Sequence, residues 1–293
     1  MIIVKLTGGL GNQMFQYAAG RRLAEKHSTL LKLDVTGFEE YKLRRYSLHC
    51  FQCWEYIATK NEIDNIIYQQ GFVNDLKHKM FSIFKLQLSK NSNWIIEKQF
   101  NFDNQILNSP NNILLDGYWQ TEKYFSDITG ILQREFFVKY QQDTQSQKVA
   151  NQIKSTESIS LHVRRTDYVQ NTLTNQIHGT CDQDYYDRAV SYIGERVINP
   201  HFFIFSDEPE WARSNLKLRF PMTVVDCNDA SRNYEDLRLM SMCKHNVIAN
   251  SSFSWWAAWL NPNSNKIVLA PQKWFNDNTR NTKDLIPDQW IKL

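Results

Sequence analysis

Two adjacent arginines at the end of an apolar run are the most chemically specific feature of the sequence. Ile159–Val163 is predicted to be a buried strand, and Arg164 and Arg165 follow it directly. Charged side chains at the end of a buried strand destabilise a fold unless an anion or a carboxylate meets them. A guanidinium binds phosphate bidentately and stays ionised, so Arg164 is a candidate ligand for a diphosphate. For Arg165, an ion pair with Asp167 or with a glutamate is an equally good account.

A second candidate anion site is the segment Asn250-Ser251-Ser252, which stands between an apolar run and an apolar helical pattern. Small hydroxyl residues at a helix start leave backbone N–H groups and the positive end of the helix dipole open to phosphate. Ordinary N-capping by Ser or Asn is the alternative. The order of strand, Asn-Ser-Ser and helix favours phosphate contact, and the following Trp255 and Trp256 are predicted to lie in the core.

The third feature is a glycine turn after the first strand, with Gly8, Gly9 and Gly11 among only ten glycines in the chain. No Gly-Lys-Ser/Thr follows, so the turn is not a P-loop. It partly matches the dinucleotide fingerprint, because Asp34 ends the next predicted strand, but Met14 stands at the third glycine position. A dinucleotide-dependent oxidoreductase that uses this βαβ unit is therefore the alternative function.

Other polar patterns have simpler accounts than metal binding. Asp182-Gln183-Asp184 resembles a metal–nucleotide motif but opens a predicted helix, where acidic residues complement the dipole. Asp236 lies in the first turn of another predicted helix, where the same account applies, although its carboxylate could accept hydrogen bonds from a guanine edge. Cys50 and Cys53 have zinc-ligand spacing without a second pair of ligands, so no metal site is predicted.

The elements that would position these residues are those of α/β domains. The first half begins with a βαβ unit: strand Ile2–Leu6, a helix that Asn12 can cap, and a strand before Asp34. Further patterns predict helices near 60–70 and 74–87, a strand at 113–116 and a helix over 121–150. A polar stretch at 141–147 marks a boundary, which divides the chain into domains 1–150 and 151–293.

In the second half, five apolar runs alternate with helical patterns, which predicts a doubly wound parallel sheet. The predicted strands are 159–163, 202–205, 223–225, 246–249 and 266–269, and the predicted helices lie near 184–197, 208–217, 233–243 and 252–260. Polar residues follow four of the five strands, among them Ser206 and Asp207. Ligands bind at the carboxyl ends of strands in such sheets, so these residues are candidates for a binding site.

Composition excludes several classes of protein. The chain has 293 residues, 42% of them hydrophobic and 13% aromatic, and a net charge of +3, which disfavours disorder and nucleic-acid binding. Its five cysteines are odd in number and scattered, as in an intracellular protein with reduced thiols. No secretion signal and no transmembrane segment is indicated, so the protein is expected to be soluble and cytoplasmic.

Four ordered motifs together resemble the α-1,2-fucosyltransferases of glycosyltransferase family 11. They are Gly8-Gly9-Leu10-Gly11-Asn12-Gln13-Met14-Phe15-Gln16-Tyr17, His162-Val163-Arg164-Arg165-Thr166-Asp167-Tyr168, Phe205-Ser206-Asp207-Glu208 and Asn250-Ser251-Ser252-Phe253-Ser254-Trp255-Trp256. The resemblance runs from residue 5 to about residue 275. Related α-1,6-fucosyltransferases also resemble the His-Val-Arg-Arg-Thr-Asp motif, so it supports the donor more strongly than the linkage.

The resemblance implies a GT-B fold, with two Rossmann-like domains facing across a cleft. The first domain would face the acceptor, a galactose-terminated oligosaccharide or lipid-linked glycan, and the second would bind GDP-β-L-fucose. L-Fucose would pass with inversion and without a metal or other cofactor to the galactose 2-hydroxyl. A lipid-linked acceptor would bring the protein to the inner face of the membrane as a peripheral protein.

The resemblance also assigns roles to individual residues. Arg164 would contact the β-phosphate, His162 would orient the donor, Asp236 would face the guanine, and Asn12 would lie near the fucose and the acceptor. The expected catalytic residues are Arg164, Asn12 and Asp167, and the expected donor-binding residues are Gly11, Gln13, His162, Arg165, Ser206, Asp207, Asp236, Asn250, Ser251, Ser252, Phe253 and Ser254.

General chemistry agrees with the role of Arg164 and leaves the base open. Negative charge grows on the departing diphosphate in the transition state, so a cation already in place there accelerates the step. The acceptor hydroxyl must also lose a proton, and the sequence does not choose among Asp167, Asp34, Asp116 and His178. A non-catalytic sugar-binding module is a third interpretation, in which Arg164 would have no task.

Overall fold

The computed structural model describes residues 1–40, 44–68, 93–165, 179–277 and 279–293. They form two compact units. Unit 1 comprises Met1–His49 and Cys53–Glu135, and unit 2 comprises Cys50–Gln52 and Phe136–Leu293. The sequence-based boundary at residue 150 falls inside a helix of unit 2, and the assignment of acceptor and donor to separate domains stays a prediction.

Unit 1 contains a parallel sheet with the strand order β2-β1-β4-β3. The strands are β1 (Ile2–Lys5), β2 (Leu31–Asp34), β3 (Trp94–Ile96) and β4 (Ile113–Asp116), and the helices are α1 (Leu10–Lys26), α2 (Gly37–Glu40), α3 (Lys60–Tyr68), α4 (Asn104–Leu107) and α5 (Thr129–Glu135). The predicted βαβ unit and the strand at 113–116 are confirmed. Strand β3 was not predicted, because it is three residues long and only partly buried. The predicted helix at 74–87 lies outside the described residues.

Two sequence-based expectations about helices in the first half are wrong. Helix α1 begins at Leu10 with Gly9 as its extended N-cap residue, so Asn12 lies inside the first turn and does not cap it. The helix predicted over 121–150 is not continuous. It is interrupted after α5, and helix α6 (Thr144–Lys154) starts anew because the Asp143 side chain accepts a hydrogen bond from the Ser146 N–H at 2.8 Å.

Unit 2 contains a parallel sheet with the strand order β10-β9-β8-β5-β6-β7. Its strands are β5 (Glu157–Val163), β6 (Pro200–Ser206), β7 (Met222–Val225), β8 (His245–Val247), β9 (Val268–Ala270) and β10 (Ile291–Lys292), and its helices after α6 are α7 (Gln183–Gly194), α8 (Pro209–Asn215), α9 (Asn233–Met242) and α10 (Ser252–Leu260). All five strands and four helices predicted for this half are confirmed. The two-residue β10 was not predicted.

The core of each unit follows from its sequence pattern. Ile159, Leu161 and Val163 of β5 are at most 2% exposed, as expected for a central parallel strand with both faces covered. The predicted core residues Trp255 and Trp256 are fully buried. Among the described helices, none has the length and apolar character needed to cross a bilayer.

The topology defines a switch point in each sheet. In unit 2 the chain runs from β5 outward to β6 and β7, and then returns to place β8 on the other side of β5. In unit 1, β2 and β4 flank β1 in the same way. Connections leave in opposite directions there, and in open parallel sheets ligands bind at the carboxyl ends of the strands beside such a point.

Candidate active site

Unit 2 brings two of the predicted anion-binding motifs together at its switch point. Strand β5 ends at Val163 and pairs in parallel with β8, so Arg164 and Ser251 both lie just past the carboxyl ends of neighbouring strands. The rings of His162 and Phe253 lie 5.8 Å apart, which places the end of β5 beside the first turn of α10. Sequence reasoning predicted both motifs, and the sheet order explains why they meet.

Arg164 is held by a carboxylate from the next strand. Its Nη1 lies 3.1 Å from Oδ2 of Asp207, and the two side chains are 21% and 18% exposed. Oδ1 of the same carboxylate accepts a hydrogen bond from the Arg165 backbone N–H at 2.9 Å. Asp207 therefore fixes the end of β5. The Arg164 guanidinium remains partly exposed to solvent at the carboxyl end of this central strand.

Arg165 has the structural role that the sequence left open. Its Nε lies 3.3 Å from Oε2 of Glu208, and its guanidinium stacks on Trp211 at 3.7 Å from the ring centroid. The Ser206 hydroxyl accepts a hydrogen bond from the Glu208 N–H at 3.0 Å. Arg165 and Ser206 thus organise the loop after β6.

His162 is a buried neutral imidazole next to Arg164. Its side chain is almost fully enclosed, and its Nδ1 finds no hydrogen-bond partner among the described residues. Burial lowers the pKa of His162 to about 4, while the nearby Asp207 raises it and Arg164 lowers it further. At neutral pH the ring is therefore uncharged, and it can donate and accept hydrogen bonds without adding a positive charge to the site. Asp167 and His178, two candidate bases, lie outside the described residues.

At the start of α10, some residues position the backbone and others remain able to contact a ligand. The Asn250 side chain donates to the carbonyls of Gly179 and Trp274, each at 3.2 Å, and so fixes the loop before the helix. Ser254 is buried and donates to the Ser251 carbonyl at 3.3 Å. Ser251 is the extended N-cap residue, yet its side chain does not cap α10. The capping alternative is thus not realised by its hydroxyl.

A polar cluster follows β7 and surrounds the start of α9. Oδ1 of Asp236 accepts a hydrogen bond from the Asn228 amide at 2.8 Å, and Arg232 donates to the same Asn228 at 2.6 Å. Burial raises the pKa of Asp236 to about 7, despite the opposing hydrogen bond from Asn228. A carboxyl group with this pKa can be stabilised as an anion by a ligand that donates to it.

The glycine turn of unit 1 is shaped by a buried glutamine. Gln13 is fully buried; its amide donates to the carbonyls of Gly8 and Arg45, both at 2.9 Å, and accepts from the Ser47 N–H at 2.8 Å. Gly8 has a φ of +76°, and a Cβ there would lie 2.4 Å from the Asn12 side chain. Gln13 and Gly8 therefore position Asn12, and the predicted donor-binding residue Gly11 is buried within α1.

Several polar residues predicted as candidates serve the fold. Asp34 accepts from the N–H and the hydroxyl of Thr36, at 3.0 and 2.6 Å. Asp116 pairs with Lys5 at 3.0 Å. Asp182 caps α7 by accepting from the Tyr185 N–H at 2.9 Å, which agrees with the expectation that Asp182 and Asp184 serve the start of a helix. Within the described parts of the chain, no group of His, Cys, Asp and Glu side chains could hold a metal ion.

The sequence analysis did not single out Glu97 and Gln120, which the structure places at the switch point of unit 1. Gln120 donates to Oδ1 of Asn12 at 2.8 Å, and Glu97 accepts from two backbone N–H groups of the turn after β4. The signal was present, since Gly117-Tyr-Trp-Gln120 follows a predicted strand.

Two Rossmann-like units, with a solvent-accessible cation beside a helix start at a switch point, define an α/β protein suited to binding a phosphorylated ligand. The chain belongs to glycosyl transferase family 11, whose family model matches residues 1–293. The resemblance drawn from the motifs is therefore confirmed, and the protein is a glycosyltransferase. Membership of this family favours the transferase over the oxidoreductase and the sugar-binding module.

Comparisons with individual proteins agree with the family. The chain is 33% identical to an alpha-1,2-colitosyltransferase of Escherichia coli over 100% of this chain and 99% of the relative. It is 35% identical to the O-antigen biosynthesis glycosyltransferase WbnK of Escherichia coli over 98% of this chain and 99% of the relative. The human galactoside alpha-(1,2)-fucosyltransferase 1 is 24% identical over 50% of this chain and 42% of its own length.

A solved structure supports the fold. The structure of an Arabidopsis thaliana FUT1 mutant in complex with GDP has a TM-score of 0.52 and 11% identity, and the match covers 98% of this chain and 72% of that structure. This likeness and the two parallel sheets confirm the predicted fold class, α/β of the GT-B type with Rossmann-like domains.

Proposed function

We propose that this glycosyltransferase moves L-fucose, or a closely related deoxy sugar, from its GDP-β-L derivative to the 2-hydroxyl of a terminal galactose, with inversion to an α-1,2 link. The observation that carries the proposal is the partly exposed Arg164 beside the start of α10, at the switch point of the unit 2 sheet. The two full-length Escherichia coli relatives, one of them named for α-1,2 transfer, support it.

In the proposed reaction, the bond between the sugar and the β-phosphate breaks while the acceptor oxygen attacks from the opposite face of the ring. The electron pair of the broken bond goes to the phosphate, whose negative charge grows. Arg164 neutralises this charge, and the first-turn N–H groups of α10, together with Ser252 and Phe253, bind the diphosphate. Because Arg164 binds the more negative phosphate of the transition state better than that of the intact donor, it lowers the barrier.

The proton of the acceptor hydroxyl needs a base, and Asp167 remains our candidate. It lies two residues from Arg165 in the sequence, and thus follows the strand end that carries the donor site. Of the other candidates, Asp34 and Asp116 already bond to protein groups, as described above.

We further propose that Asp236 recognises the guanine base. Guanine presents two neighbouring N–H donors on one edge, and a carboxylate can accept both. Because burial raises the pKa of Asp236 to about 7, ionising this group costs free energy in the protein without nucleotide. Donation from guanine offsets that cost, so the nucleotide and the carboxylate anion stabilise each other.

The relatives leave two candidate donor sugars for this chain. One is fucose, and the other is colitose, which lacks the 3-hydroxyl of fucose. A galactose-terminated glycan, free or linked to a lipid, is the proposed acceptor, and a lipid-linked acceptor would bring the protein to the cytoplasmic face of the membrane. The reaction as proposed uses no metal or other cofactor.

The test is incubation of the protein with GDP-fucose or GDP-colitose and a panel of β-galactosides, followed by linkage analysis of the product. We expect an α-1,2-linked sugar on galactose, formed roughly 10²–10³ times more slowly when Arg164 is replaced by Ala. An α-1,6 link would overturn the proposed linkage. Failure of both donors to give a product, while GDP still binds, would overturn the proposed donors.

A further inference from the structure

The turn after β4, which we call the 117–120 turn, has a strained backbone at the switch point of unit 1. Trp119 adopts a φ of +56°, in the left-handed region that a bulky aromatic residue rarely enters. The Thr121 N–H donates to the Trp119 carbonyl at 2.8 Å, which closes the turn tightly. Such strain persists only where the surroundings impose it, and it concentrates at functional sites.

Glu97, the residue after β3, imposes this conformation. Its two carboxylate oxygens accept hydrogen bonds from the backbone N–H groups of Tyr118 at 2.7 Å and Trp119 at 3.0 Å. Gly117 makes the approach feasible, since a Cβ there would lie 2.4 Å from the Glu97 side chain and 2.9 Å from the Trp119 ring. One side chain therefore holds two consecutive N–H groups of the turn.

The result of this arrangement is the placement of Gln120. Its side chain is only 7% exposed, and its amide donates to Oδ1 of Asn12 at 2.8 Å. No described residue donates a hydrogen bond to its Oε1. Because the Gln120 side chain is more than nine-tenths buried and no described residue donates to Oε1, a ligand hydroxyl that reaches this oxygen can satisfy it.

The chemistry of this end of the sheet suits a neutral ligand. Asn12 and Gln120 are uncharged amides, Lys5 is paired with Asp116 at 3.0 Å, and the Arg44 side chain lies 3.9 Å from the Cβ position of Gly9. Neutral hydroxyl groups, which both donate and accept, match a pair of amides.

We propose that Gln120 is a specificity-determining residue that accepts a hydrogen bond from a hydroxyl of the neutral acceptor sugar, and that Glu97 is the positioning residue that holds it there. This inference rests on the proposed function, because it assigns an acceptor contact within the same reaction. It goes beyond the role expected for Asn12, since neither Glu97 nor Gln120 belongs to the motifs that carry the family resemblance.

The test separates acceptor binding from donor chemistry. For Gln120→Ala we expect the acceptor KM to rise at least about tenfold, the scale for losing a buried hydrogen bond. The affinity for GDP and the slow hydrolysis of the donor by water should stay within about twofold, because neither uses the acceptor. Gln120→Asn, which keeps the amide on a shorter side chain, provides a second variant with the same expected direction.

Glu97→Gln tests the positioning role, because its NH₂ group would face a backbone N–H of the turn in place of an acceptor oxygen. We expect acceptor kcat/KM to fall about as far as in Gln120→Ala, with donor hydrolysis unchanged, and the double variant to be no worse than the single ones. The matched control is Glu62→Gln. Glu62 also accepts a backbone hydrogen bond, from the Thr59 N–H at 2.9 Å, but at the start of α3.

Three results would overturn the inference. The first is an unchanged acceptor KM in both Gln120 variants, and the second is a loss of GDP affinity in these variants that equals the loss of acceptor affinity. The third is an equal effect of Glu62→Gln and Glu97→Gln on acceptor KM. Failure of the proposed function is a separate result, since it would show in the wild-type protein as an absence of GDP binding or of an α-1,2 product.

Discussion

At the scale of single residues, the site contains charged and polar groups whose burial costs folding free energy until a ligand binds. Arg164 needs a carboxylate from a neighbouring strand, His162 is buried with one ring nitrogen unpartnered among the described residues, and Asp236 has its pKa raised to about 7 by burial. Perturbed groups of this kind cluster at functional sites more often than elsewhere. Their placement supports the proposal that the donor binds to unit 2.

Asp236 yields a prediction whose sign depends on pH. Its pKa is about 7 in the folded protein, against an ordinary value of 3.8. Between these pH values the folded state holds a proton that the unfolded state has released, so the free energy of unfolding falls as the pH rises towards 7. Asp236→Asn removes this loss. We expect the variant to melt at least about 3 °C above the wild type at pH 8, with little difference at pH 4. Thermal melts at both pH values measure this.

The same substitution should weaken GDP binding, because an amide offers guanine one acceptor instead of two. Asp229→Asn is the control of opposite sign. Hydrogen bonds from Ser231 lower the pKa of Asp229, so its anion stabilises the fold and its loss should reduce the melting temperature at pH 8. If Asp236→Asn destabilises the protein at pH 8, or leaves GDP binding intact, the role given to this carboxylate is wrong.

At the scale of elements, the two glycines before α1 have opposite requirements. Gly8 has a φ of +76° and no room for a Cβ, whereas Gly9 has a φ of −79° and its nearest neighbour would be 3.9 Å away, at Arg44. We expect Gly8→Ala to lower the free energy of unfolding by about 1–2 kcal/mol more than Gly9→Ala. Urea titrations of both variants provide the comparison, and equal effects would show that the turn tolerates a side chain at Gly8.

Much of the element order could be predicted from the sequence, because parallel strands buried on both faces appear as continuous apolar runs. The strands of unit 2 and the residues after them were found in this way. Short and half-buried elements such as β3 carry no such signal. The helix predicted over 121–150 is broken where the Asp143 side chain caps α6. A single capping residue is a weaker signal in the sequence than a helical pattern over a longer window.

The partners of the site residues were harder to predict than the residues themselves. Arg164 could be found as a cation after a strand, but its pairing with Asp207 joins residues that only the sheet order brings together. Gln13 was expected to bind the donor because it belongs to the glycine-turn motif that carries the family resemblance. The structure shows that its amide is used within the fold, which no pattern of residue types reveals.

At the scale of the whole molecule, each unit repeats the same plan, a parallel sheet with polar groups at a switch point. In unit 2 these groups include Arg164 and the buried Asp236, and in unit 1 they include the amides of Asn12 and Gln120. A charged nucleotide and a neutral sugar need these two kinds of surroundings. This difference in chemistry supports the assignment of the donor to unit 2 and of the acceptor to unit 1.

Ligand-dependent melting tests this assignment on the intact protein. A ligand at 100 times its Kd stabilises the folded state by about 2.7 kcal/mol. We expect GDP to raise the melting temperature and NAD at the same concentration to leave it unchanged. Stabilisation by NAD alone would favour the oxidoreductase alternative, and stabilisation by neither would remove the support for a nucleotide site.

The most direct test of the whole account is the turnover of Arg164→Ala and Arg164→Lys with GDP-fucose and a galactoside acceptor. If this guanidinium neutralises the departing diphosphate, kcat should fall by roughly 10²–10³ in the Ala variant, and Lys should restore only part of it because it cannot bind phosphate bidentately. Arg188→Ala, which removes an exposed arginine paired with Asp184, should keep wild-type turnover. An Arg164→Ala enzyme that retains more than half of the wild-type kcat would contradict the account.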